Sequence, residues 1–333
     1  MKMKKLLSSL FVMLLCIGLL AGCGGNEKKA TPDKKEAPKK AELILATGGT
    51  AGTYYPLGGA MAQIWNSKSN GTLNVTAQST GAAVENLRLI NKADVELAIV
   101  QSDTMDYAYK GTEVFKDGKL ENVRAIAYLY PEVIQIVVKA DSGINSIADL
   151  KGKSVGVGAP GSGTEANFRQ LIDTYGLTYN DLKPQYLSFS ECADRFKDNQ
   201  IDAFLVVAGL PNSAIMDIAT QHKIKVLNIS DDMIEKINKK YPFLAGTVVP
   251  ANTYNGQTSE VKTVAVMATL VANAKVKDDV VYSITKLLFD NLDELAKGHA
   301  KGKEFKLDTA TKSMTIPFHP GAEKYFKEKG ILK

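Results

Sequence analysis

Apolar and polar positions fall into a repeating three-part rhythm: a short apolar run, a loop of small polar residues, then a segment with apolar residues every three or four positions. The first run, 42–46, reads as a buried strand. It leads into Gly48-Gly49-Thr50-Ala51-Gly52-Thr53-Tyr54-Tyr55, after which Leu57, Met61, Ile64 and Trp65 mark one face of a helix. Pro56 is placed as the first residue of that helix. Residues 73–77 alternate as a half-buried strand, end in Gln78-Ser79-Thr80-Gly81-Ala82, and precede a helix carrying Val84, Leu87 and Ile90. A third strand, 95–100, ends in Gln101-Ser102-Asp103.

The stretch 123–139 reads as two strands around Pro131, because it is too long for one buried strand. It suits a chain leaving one domain for another. The rhythm then restarts. The strand-like residues before Gly158 lead into loop 159–165 and a helix to about Tyr175, with Ser162 and Glu165 spaced as a capping box. Residues 182–189, 201–207 and 223–229 read as further strands, the second ending in Ala208-Gly209-Leu210-Pro211-Asn212. Residues 246–250 read as a return crossing, 261–270 as a strand and 278–296 as one helix; His319 is placed to cap a closing helix. This alternation predicts an α/β fold of two lobes, 41–135 with 251–333, and 136–250. In such sheets ligands bind beyond the carboxyl ends of the strands, so both lobes present helix starts to a shared cleft.

The ends of the chain change the picture of its charge. Residues 1–22 have a lysine-rich start, a short apolar stretch and small residues before Cys23, the pattern of an export signal. Residues 23–40 are charged, proline-bearing and of low complexity, a flexible tether. The formal charge of +5 falls to +2 without the leader's three lysines, and to −1 without the tether's six lysines and three acids. A near-neutral body has no electrostatic footprint for nucleic acid. Cys16 leaves with the leader, and Cys192 stands alone in a helical stretch as a small buried residue, so no disulfide framework exists.

Enzyme motifs are absent or weak. Gly156 to Gly161 matches G-x-G-x-x-G, but Pro160 removes a backbone donor and no acidic residue follows at ribose distance. There is no Walker loop, no G-x-S-x-G and no H-E-x-x-H, and His222, His299 and His319 are far apart. The residues therefore point to no catalytic group, metal or cofactor. The four arginines, Arg88, Arg124, Arg169 and Arg195, all lie outside the loops. An anion in the cleft must be held by amides, hydroxyls and carboxamides. The expected contacts are Gly52, Thr53, Tyr54, Tyr55, Gln78, Ser79, Thr80, Gly81, Gln101 and Ser102 from one lobe, and Ser162, Gly163, Thr164 and Gly209 from the other. Adjacent tyrosines cannot face the same way, so one of Tyr54 and Tyr55 packs and the other supplies a ring and hydroxyl. Asp103 either caps the next helix or meets an amino group on the ligand; Glu132 has no assigned role.

Segments 48–58, 79–90, 101–103, 158–165, 202–204 and 316–322 resemble, in order, the TAXI family, the solute receptors of one branch of TRAP transporters. The resemblance implies a two-lobed, type II-like periplasmic-binding-protein fold that closes on a small acidic solute of the glutamate, glutamine or 2-oxoglutarate class. It also implies a monomeric receptor, without catalysis, serving a membrane permease driven by an ion gradient; the alternative reading is a substrate-binding lipoprotein of an ATP-driven importer or a sensory receptor. Leu20-Ala21-Gly22-Cys23 resembles a bacterial lipobox. That implies a diacylated Cys23 anchoring the exported protein to the outer face of the cell membrane.

Overall fold

A computed structural model describes residues 40–333. The expected leader, the lipidated Cys23 and the tether through Lys39 lie outside the described residues.

The first elements are β1 (Ala41–Ala46), α1 (Tyr54–Lys68), β2 (Leu73–Gln78), α2 (Ala83–Lys92), β3 (Leu97–Gln101) and α3 (Ser102–Lys110). The long strand β4 (Val123–Lys139) follows. Next come β5 (Ser154–Gly156), α4 (Gly163–Thr174), β6 (Lys183–Gln185), α5 (Phe189–Lys197), β7 (Ala203–Ala208), α6 (Ser213–Gln221), β8 (Ile224–Val226), α7 (Asp231–Lys240) and β9 (Ala245–Val249). The chain ends with β10 (Val261–Asn273), α8 (Asp278–Phe289), α9 (Leu292–Gly298) and α10 (Pro320–Glu328).

The strands join one sheet along the path β2-β1-β3-β10-β4-β7-β5-β6. β2, β1 and β3 run parallel, as do β6, β5 and β7. Between these triplets stands the antiparallel pair β10 and β4. Helices cover both faces, so the strands bury both sets of side chains. In β3, Leu97 and Ile99 enter one apolar cluster, Ala98 and Val100 another. In β7, Ala203, Leu205 and Val207 face one cluster, Phe204, Val206 and Ala208 the other. β4 and β10 contribute to all four clusters. The α/β architecture observed is the one expected from the pattern, and it has the two-lobed periplasmic-binding-protein form that the resemblance implies.

Several local readings are corrected. Residues 123–139 form one 17-residue strand. Pro131 is exposed and sits opposite Met267, where the β4–β10 register shifts by one residue, so the missing N–H falls at an irregularity of the ladder. The return between triplets is made by β10; the stretch read as a crossing, 246–250, instead falls on β9, which pairs antiparallel beside β10 over Ala245–Val249. The stretch 278–296 breaks into α8 and α9 at Asn291, which has left the helical conformation and donates to the Leu287 carbonyl at 2.7 Å. Strand β6 spans only 183–185, because Ser188 and Phe189 belong to the start of α5. α1 begins at Tyr54, two residues before Pro56.

Trp65, the single tryptophan, is fully buried, and its indole N–H donates to the Ile284 carbonyl at 2.9 Å, joining α1 to α8. Trp65→Ala is expected to cost about 3–5 kcal/mol of stability, read from urea unfolding followed by far-ultraviolet circular dichroism. A loss below about 1 kcal/mol would show that this contact does not hold the core.

Candidate functional site

The loops after β1, β2 and β3 open side by side, because those strands are sheet neighbours. The starts of α4 and α5 face them. Between lies a cleft whose empty space, open mouth included, is about 660 Å³. It is lined by Gly48, Gly49, Ala51, Gly52, Thr53 and Tyr54 before and at the start of α1, by residues 80–83 at α2, and by Gln101 and Glu132. Ala159, residues 162–164, residues 188–190 and Val207 form the facing wall.

The starts of α1, α2, α4 and α5 all lie on this surface. First-turn amides have no intrahelical acceptor, and the helix dipole makes each start partly positive. α1 and α2 have no side-chain cap. In α4, Ser162 Oγ accepts the Glu165 amide at 3.1 Å, leaving those of Gly163 and Thr164 without an intrahelical partner. The capping box expected there is half formed, because Glu165 turns away to Arg169 and the Tyr179 hydroxyl. α5 carries the complete box, Ser188 with Glu191. Ala82 holds φ 78° and ψ −150°, a conformation that side chains rarely adopt and that clusters at functional sites.

The lining residues include no lysine, arginine or histidine, and one carboxyl, Glu132. The Tyr54 hydroxyl donates to Glu132 Oε2 at 2.5 Å. Burial holds the Glu132 carboxyl well above the usual carboxylate range; the Tyr54 hydrogen bond opposes this and the nearby Asp103 charge adds to it. Burial and the Glu132 charge raise the Tyr54 phenol in turn. Asp103 is fully buried outside the cleft lining, with Oδ1 on the Thr104 amide and Oδ2 on Asn167 Nδ2. Burial raises it to about 6 against the pull of those bonds.

Of the residues expected from sequence, Gly52, Thr53, Tyr54, Thr80, Gly81, Gln101, Ser162, Gly163 and Thr164 line the cleft. Five do not. Tyr55, one step round α1 from Tyr54, is 37% exposed and faces away. Gln78 has an exposed side chain, and its carbonyl serves Thr47. Ser79 bonds the Gly48 carbonyl. Ser102 is buried at the Met267 amide. Gly209 lies beneath Lys301, and its amide donates to Thr53 Oγ1 at 3.1 Å. Glu132 and residues 188–190 were not assigned. The spacing of Ser188 and Glu191 is the signal that could have found the latter.

For Asp103 and Glu132 the folded pKa is raised, so the protonated form favours folding. Their contribution is complete below the unfolded carboxylate range and is lost as pH rises, for Asp103 through about 6. Asp103→Asn with Glu132→Gln is expected to flatten the fall in thermal midpoint from about pH 4 to pH 7. A slope equal to that of the unsubstituted protein would count against these assignments.

A two-lobed α/β sheet with helix starts around one central cleft is the fold of periplasmic solute-binding proteins. The chain belongs to the NMT1-like family, whose pattern matches residues 45–330. It is similar in fold to the alkanesulfonate-binding protein SsuA from Xanthomonas axonopodis pv. citri bound to MOPS, at 13% identity and TM-score 0.50, covering 87% of this chain and 85% of that one. A protein of Bordetella bronchiseptica RB50 matches at 18% identity and TM-score 0.53, covering 88% and 90%. The ligand-binding component of an ABC-type import system from Staphylococcus aureus matches at 10% and 0.50, covering 88% and 93%. Among the described residues, no helix is long and apolar enough to cross a membrane, and no group of three or more His, Cys, Asp or Glu is placed to hold a metal ion.

Proposed function

We propose that this protein is the solute receptor of a membrane importer, exported and anchored to the outer face of the membrane through Cys23. The observation that carries the reading is a cleft rich in helix-start amides and hydroxyls, free of cationic side chains, with one buried carboxyl at its floor. Such a site suits a small solute with a carboxylate at the helix starts and an ammonium at Glu132, whose carboxyl releases its proton to solvent as the ammonium binds. Among glutamate, glutamine and 2-oxoglutarate, this favours the amino acids. Hydrogen bonds to charged groups contribute roughly 1.5–3 kcal/mol each, so a few account for micromolar affinity, about −8 kcal/mol.

The lobes are 41–135 with 251–333, and 136–250, turning on β4 and β10. Bonds already join the two triplets. Besides Gly209 to Thr53, Asn212 Nδ2 donates to the Ala51 carbonyl at 3.0 Å. This supports a closed form.

The importer is of the ATP-driven kind, as is the Staphylococcus aureus system whose component shares this fold. A second reading, an ion-gradient-driven TRAP permease, is favoured by the TAXI-like segments. Uptake of labelled solute by cells expressing receptor and permease separates them. ATP depletion alone abolishes the first, and an ionophore alone the second.

Thermal shift and calorimetry with L-glutamate, L-glutamine and 2-oxoglutarate test the site. Glu132→Gln keeps a partner for Tyr54 and is expected to weaken L-glutamate at least roughly tenfold, while changing 2-oxoglutarate less than about threefold. Binding confined to solutes that carry no carboxylate would overturn the reading.

A further inference from the structure

A buried polar chain links α3 to α4 behind the cleft. Asn167, fully buried on α4, stands at its centre. Its Oδ1 accepts from Gln101 Nε2 at 3.0 Å, and its Nδ2 donates to Asp103 Oδ2 at 2.6 Å. One turn on, Gln170 Nε2 donates to the Tyr107 hydroxyl at 3.1 Å. α3 follows β3 in one triplet and α4 follows β5 in the other, so these bonds require the two halves to be together.

The fit is also steric. A Cβ on Gly163 would lie 1.4 Å from Gln101 Oε1, so the carboxamide fills the space of a missing side chain. Gln101 Oε1 is buried there without a hydrogen-bond partner. In an open form water would satisfy it, so the remaining bonds of Asn167 must outweigh that loss.

We propose that Asn167 is a positioning residue for solute retention, the latch through which α4 holds Gln101 and Asp103 while the cleft is shut. This rests on the receptor reading above. Asn167 lies one turn along α4 from Gly163 and Thr164. Fixing it keeps their amides on the solute and slows reopening. Its effect therefore falls on dissociation, where most affinity differences reside.

The test is stopped-flow and calorimetric binding of L-glutamate, L-glutamine and 2-oxoglutarate to the protein and its variants. Asn167→Asp sets a second carboxylate against Asp103. Dissociation is expected to quicken on the order of ten- to a hundredfold, with association within about threefold. Asp103→Asn combined with Asn167→Asp exchanges donor and acceptor, and is expected to bring dissociation back to within about threefold of the original. Thermal midpoints without solute check that each variant folds. If Asn167→Asp does not fold, Gly163→Ala serves, because its methyl meets Gln101 in the shut form and is expected to quicken dissociation likewise. Unchanged dissociation in Asn167→Asp, or an exchange variant no better than the single one, overturns the latch alone. An unsubstituted protein that binds none of the three solutes overturns the receptor reading and the latch with it.

Discussion

The antiparallel ladder between β4 and β10 is the contact on which the rest of the molecule depends. Each parallel triplet is a small α/β unit that buries both faces under helices. Neither triplet touches the other within the sheet except through these two strands. Because both strands feed all four apolar clusters, the cores are built on a shared spine. One of the two register shifts in that spine falls just before Glu132.

The topology then decides the chemistry. Parallel strands deliver their following helices start-first to one edge, and two triplets facing each other deliver them to one gap. Positive potential there comes from peptide groups rather than from lysine or arginine. Fixed dipoles of this kind need no reorganisation when an anion arrives. Glu132 adds the opposite requirement, and Tyr54 holds it in place.

Much of this was legible in the sequence, for identifiable reasons. Apolar runs ending in glycine, serine and threonine located the loops around Thr53, Thr80 and Ser162, because few other residues fit tight strand-to-helix turns. Direction within a loop was less legible. Tyr55 and Gln78 sit beside residues that line the cleft, yet one step of helix or strand turns them outward. Gly209 has the right place but lies under a side chain from residue 301, a contact between positions far apart in the chain. Glu132 could be named from the sequence but not given a role, because it lies inside an apolar stretch read as two strands and a bulge leaves no periodic trace. The latch residue Asn167 looks like any polar residue of a helix until α3 is packed against it.

The lack of cationic side chains in the lining has a consequence for how such a receptor would change over generations. Peptide groups are not removed by changing side chains, so under the proposed reading a preference for an anionic group would persist under most substitutions in the wall. What remains variable is the small set of side chains beside it, Glu132 foremost. Under that reading, drift at this one position would redirect the protein among related solutes without rebuilding the part that attracts them. A lineage of this fold can thus diversify its cargo by single steps, each passing through a working intermediate.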